Sequence, residues 1–174
     1  MAHEFYTRTN QKIYFAGLSL ENWRKAATGG LVGDMGKIQA EREASLFHLY
    51  GALLGLCHEI LGFYRSPAIS AKRVEKILTR STLETTPCPE LSELLELSRN
   101  PTTWLANLLT QHAQLYQPPH ASREPKSNPD MEIIEAVNLA EEALVILNEY
   151  EEMESWRKQL KELTLRFRES MTEW

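Results

Sequence analysis

Residues 36–64 read GKIQAEREASLFHLYGALLGLCHEILGFY, with no proline and, from Ser45 onward, mostly apolar side chains. A run of this length with apolar residues at helical spacing predicts one long central helix. Glu41, Ser45, His48, Gly51, Gly55, His58 and Gly62 follow one another at steps of three and four, so they share one face. Leu46, Phe47, Leu49, Tyr50, Leu53, Leu54, Leu56, Ile60, Leu61 and Phe63 cover the remainder, the pattern of a helix enclosed by partner helices. Each interior glycine weakens a helix by about 1 kcal/mol relative to alanine, which is tolerable where a neighbouring helix approaches closely. His48, Gly51, Gly55 and His58 are therefore expected to form a helix-packing or docking stripe.

The same segment is long enough to cross a bilayer, but His48, His58 and Glu59 lie inside it. A charged side chain near the bilayer centre costs about 2.5–3.5 kcal/mol, so a soluble core helix without membrane contact is expected. Met1 to Asn10 includes Glu4 and no apolar run of the signal-peptide type. Cys57 and Cys88 lack the spacing of a zinc or redox motif. Free thiols in a reducing, cytoplasmic compartment follow as the expectation. A chain of 174 residues suits a single domain that buries its own core. With 24 acidic against 19 basic side chains the net charge is −5, which argues against a general attraction to nucleic acid or anionic lipid.

Upstream, Tyr6, Thr9, Ile13, Ala16, Leu20, Trp23 and Ala27 recur at helical spacing, predicting a first helix from about Phe5 to Thr28 that stops at Gly29-Gly30. Asp34 is the expected cap of the central helix. Downstream, Ser66-Pro67 predicts a shorter helix through Arg80. Glu90 to Ser98 reads as a short helix with Leu91, Leu94 and Leu95 inward, and Asn100-Pro101 opens another that runs to about Tyr116. Gln117 to Asp130 holds four prolines and reads as an exposed loop. From Met131 to Trp174 there is neither glycine nor proline. The stripe Ile133, Val137, Ala140, Leu144, Leu147 slips phase before Met153, Trp156, Leu160, Leu163, Phe167, Met171, which predicts a bend or break near Asn148 to Glu152. The expected architecture is all-α: an antiparallel bundle of about four long helices with two short helices inserted midway.

The five histidines invite a metal centre, but neither Glu-x-x-His nor His-Glu-x-x-His occurs. His48 and His58 stand about 15 Å apart along a helix, too far to share one ion, so neither a metal nor a cofactor is expected. Lys72, Arg73, Lys76 and Arg80 are the place where nucleic-acid phosphates would be gripped, although such a row without interleaved aromatics is more often a solvated face. No phosphate loop, nucleophile elbow or nucleophile beside a base is present.

Arg42-Glu43-Ala44-Ser45-Leu46-Phe47-His48 resembles the signature of the HEPN superfamily of helical ribonucleases and nucleotide-transferring toxins. That resemblance implies that Arg42 and His48 face a phosphate. Tyr6-Thr7-Arg8-Thr9-Asn10-Gln11-Lys12-Ile13-Tyr14-Phe15-Ala16, with Trp23-Arg24-Lys25-Ala26, resembles the opening of a family of short bacterial proteins classed as a domain of unknown function. This second likeness spans nearly the whole chain and implies a bacterial, cytoplasmic, stand-alone protein, with no activity or cofactor attached. Thr9 and Asn10 continue the stripe of Ile13, so their polar atoms need partners. Either they tie helix one to the bundle, or they line a ligand pocket with Tyr6, Arg8 and Tyr14. The functional expectation is a non-catalytic protein-interaction or regulatory partner, engaging another protein or a second copy of itself. The alternatives are a HEPN-like enzyme using Arg42 and His48, and a small-ligand or metal-binding bundle.

Overall fold

A computed structural model describes residues 2–28, 35–118 and 139–172. The expected stop at Gly29-Gly30, the cap Asp34, most of the expected loop 117–130 and the residues Ile133 and Val137 lie outside the described residues. In chain order the helices are α1 (Ala2–Thr28), α2 (Met35–Phe63), α3 (Val74–Ile77), α4 (Arg80–Thr85), α5 (Pro89–Arg99), α6 (Trp104–Gln114) and α7 (Leu139–Thr172), with a 3₁₀ turn at Pro67–Ser70. The described residues contain no strand, and the architecture is an all-α helical bundle.

Three helices dominate: α1 with 27 residues, α2 with 29 and α7 with 34. α2 is central and packs along α1, α6 and α7. Leu46, Leu49, Leu53, Leu56, Ile60 and Leu61 are enclosed there with Trp23, Leu105, Leu108, Trp156 and Leu160. By length and composition α2 could span a bilayer, but 56% of its apolar window is buried by the rest of the chain. Its outer face is less covered than the apolar pattern predicts, since Phe47 and Phe63 are about half exposed. The pairs Asn22–Glu41 and Lys12–His48 make α1 antiparallel to α2. Arg42–Glu149 and Glu59–Arg168 make α7 parallel to α2. The short helices turn the chain back along α2, so that Gln111 of α6 meets Arg42.

α2 ends in a Schellman motif. The Ser66 N–H donates to the Leu61 carbonyl at 2.8 Å and the Arg65 N–H to Gly62 at 3.2 Å. Arg65 occupies the left-handed position with φ 53°, a site usually given to glycine. Ser66 then caps the 3₁₀ turn, its Oγ accepting from the Ala68 N–H.

Three expectations need correction. The single helix from Ser66-Pro67 through Arg80 is instead the 3₁₀ turn, α3 and the start of α4. Side chains of α2 replace its backbone bonds: Tyr50 Oη accepts from the Val74 N–H at 3.0 Å, and His58 Nε2 donates to the Ala71 carbonyl at 2.7 Å. At Asn100-Pro101 the Asn100 side chain accepts from the Thr102 N–H and forms a turn, so α6 starts later, capped by Thr103. α7 runs unbroken through Asn148–Glu152. Its core-facing line passes through Ile146 and Tyr150 to Met153, Trp156, Leu160, Leu163, Phe167 and Met171, while Leu144 and Leu147 are exposed. The change of phase is a change of face with no break in the backbone.

Candidate functional site

The stripe of α2 lies against α1. A Cβ at Gly55 would stand 2.6 Å from Thr9 Oγ1 and 3.3 Å from Thr9 Cα, and one at Gly51 would meet the Lys12 methylenes at 3.2 Å. His58 faces Phe5, with ring centroids 5.7 Å apart. Thr9 is fully buried and donates to the Phe5 carbonyl, which satisfies its hydroxyl. Lys12 is also buried, with its ammonium 3.4 Å from His48 Nδ1 and 4.7 Å from the Phe47 ring centroid. Burial, with Arg8 nearby, lowers the Lys12 pKa. Burial and the Lys12 and Arg8 charges lower that of His48.

Of the expected α1 pocket, Tyr6, Asn10 and Tyr14 line a cleft of about 370 Å³ against Arg157, Lys161 and Arg168 of α7. Thr9 points away into α2, and Arg8 is exposed with its guanidinium on Gln11. Arg168, which sequence reasoning missed, makes a two-pronged ion pair with Glu59 at 2.8 and 2.9 Å, donates to Asn10 Oδ1 and lies 3.9 Å above the Tyr6 ring. It also borders a second, apolar cleft of about 420 Å³ lined by Phe5, Phe63, Ile69 and Met171.

Arg42 and His48 are not brought together. Arg42 reaches Glu149 on α7 and Gln111 on α6, whereas His48 faces Lys12 and Phe15 on α1. Six residues along a helix turn the two side chains about 120° apart. The histidines also separate, with His48 on Lys12, His58 on Ala71 and His112 on Tyr50. Among the described residues no three His, Cys, Asp or Glu side chains converge as a metal site would need. The row Lys72, Arg73, Lys76 and Arg80 is dispersed by the breaks around α3, and Arg80 lines a different cleft with Leu83, Leu95 and Arg99.

Lys72 and Arg73 instead border a cleft of about 430 Å³ with Phe47, Tyr50, Glu75, His112 and Tyr116. His112 stacks on Tyr50 with centroids 3.7 Å apart and planes 5° from parallel, and Tyr116 meets its ring edge-on at 5.5 Å. His112 is 7% exposed, and its buried Nε2 has no hydrogen-bond partner. Burial is the main cause of its lowered pKa. Tyr50 donates to Glu75 Oε2 at 2.9 Å, which Arg73 Nε approaches at 3.5 Å. Burial, then Glu75, raises the Tyr50 pKa and keeps the hydroxyl a donor. The cleft thus joins exposed aromatic rings, two cations, a carboxylate and an unsatisfied imidazole. Its parts come from α2, α6 and the α3 region, and no contiguous motif announces them.

No curated protein and no solved structure matches the chain. A family model described as "Family of unknown function" (DUF6586) matches residues 1–174, so the chain belongs to that family.

Proposed function

We propose that this chain is a non-catalytic partner protein of the bacterial cytoplasm, which acts by engaging another protein through the start of α7. The observation that carries this reading is the trio Leu144, Val145 and Leu147, each about half exposed on the longest helix. These positions cover more than one side of the helix, so the apolar surface is wider than the line that faces the core. Exposed Glu151 and Glu152 follow within two turns, and the chain is acidic overall. A partner presenting an apolar segment bordered by lysine or arginine is the complement in both respects. A second copy of this chain would set like charges against each other. The HEPN-type reading draws no support from the arrangement of Arg42 and His48, and purified protein is expected to leave single-stranded RNA intact.

The test compares the wild type with a Leu144→Glu, Val145→Glu variant of unchanged melting temperature. Chemical cross-linking in the native host, followed by purification of the captured partner and a binding titration, should give a complex that the variant loses. A purified complex that binds both forms equally would overturn the assignment to α7. Loss of a homodimer by light scattering would transfer the surface to self-association and overturn the reading of a foreign partner.

A further inference from the structure

We propose that the cleft between Phe47, Tyr116 and the Lys72–Arg73 turn binds a nucleoside phosphate. This goes beyond the interaction reading above and does not depend on it, since the cleft shares no residue with Leu144, Val145 or Leu147.

Each part of such a ligand meets a matching group. Phe47 and Tyr116 are 50% and 73% exposed and line the cleft, offering aromatic surface for a planar base. Tyr116 meets His112 edge-on, and His112 stacks on Tyr50, so the exposed ring rests on a buried pair. Lys72 and Arg73 supply charge and donors for a phosphate at the rim. The Lys12 ammonium, 4.7 Å from the Phe47 ring, adds positive potential and has no carboxylate partner among the described residues. Glu75 uses Oε2 for Tyr50 and Arg73, which leaves Oε1 to accept from a sugar hydroxyl.

The feature that points to a ligand rather than to ordinary packing is the meeting of two exposed rings with two cations in one concave site. His112 backs that wall, its Nε2 shut off from the cleft as well as from any hydrogen-bond partner. A simple inorganic anion would leave the rings unused. A neutral aromatic would leave Lys72 and Arg73 unused. The cleft volume of about 430 Å³ falls in the range of small-molecule sites.

The experiment is isothermal titration calorimetry with ADP, and with adenosine and inorganic phosphate as separate probes. ADP should bind saturably and more tightly than either fragment. Tyr116→Ala, and separately Lys72→Ala with Arg73→Ala, should each weaken ADP by about tenfold or more while leaving the melting temperature unchanged. Both variants lie at exposed positions, so loss of binding reports on the site and not on the fold. No saturable binding of ADP by the wild type would overturn the proposal. So would binding that both variants retain in full, or inorganic phosphate binding as tightly as ADP.

Discussion

Thr9 on α1 and Gly55 on α2 touch so closely that no β-carbon fits between them: one built on Gly55 would lie 2.6 Å from the threonine hydroxyl and 3.3 Å from its Cα. The two helices are held at this separation along the line that continues through Lys12 and Gly51.

Replacing Gly55 with alanine is therefore expected to destabilise the protein by about 1–3 kcal/mol from overpacking, even though alanine favours the helix by about 1 kcal/mol. Gly51→Ala should be close to neutral, because the atoms it meets are Lys12 methylenes that can swing aside. Urea denaturation of the two variants provides the comparison. Equal midpoints would show that α1 and α2 can part at Thr9 without penalty.

Arg168 and Glu59 pair at the junction of α1, α2 and α7 with side-chain exposures of 14% and 7%. Arg168→Ala should cost about 3 kcal/mol, since it strands a shielded carboxylate. Arg168→Lys should rescue little, because lysine cannot make the fork with Glu59 and also lie over Tyr6. Combining Arg168→Met with Glu59→Leu should restore much of the loss. A double-mutant cycle in denaturant measures the coupling, and strict additivity would refute it.

At the end of α2, Arg65→Gly should raise stability by about 0.5–1 kcal/mol, because an L-residue in the left-handed region carries a steric cost that glycine does not. The gain would appear as a higher denaturation midpoint with an unchanged slope. A loss would mean that the Arg65 side chain contributes more than its backbone costs.

His48 and His112 both have folded-state pKa values below the ordinary histidine value, chiefly because burial penalises the charged ring. In the unfolded chain they take up protons near pH about 6.5, while in the folded chain they resist. The stability present above that pH is lost as pH falls through it and on through the folded values. The melting temperature should fall between neutral pH and about pH 5, and His112→Gln should flatten the profile. A profile identical to that of the wild type would assign the acid sensitivity elsewhere.

The helix pair α1–α2 was legible in the sequence because close approach leaves a local trace, with small and polar residues at steps of three and four beside an apolar majority. The string from Tyr6 to Ala16 likewise carried the family. The breaks after Ser66 were hidden because their causes lie on another helix: Tyr50 and His58 take over the backbone groups of Val74 and Ala71. In α7 the leucines at 144 and 147 continue the spacing of the stripe begun at Ile133, whereas the pair that faces the core, Ile146 and Tyr150, lies on another line of the helix. The Arg42-to-His48 string matched a signature, yet its two ends turn to different neighbours. Of the expected pocket, Tyr6, Asn10 and Tyr14 meet, but across from Arg157 and Arg168, whose distance in sequence gave no local clue. The Phe47–His112 cleft was hidden for the same reason, because separate segments supply its walls.

The contacts that fasten α7 to α2 join residues 107 and 109 positions apart, Arg42 to Glu149 and Glu59 to Arg168. Those of α1 with α2 are far more local. During synthesis the hairpin of α1 and α2 can close early, leaving uncovered the apolar flank that Met153, Trp156, Leu160 and Phe167 later occupy. The closing step of folding therefore waits on the segment made after both. Slow refolding and chaperone dependence should track substitutions in the second half of α7 more than those in the hairpin.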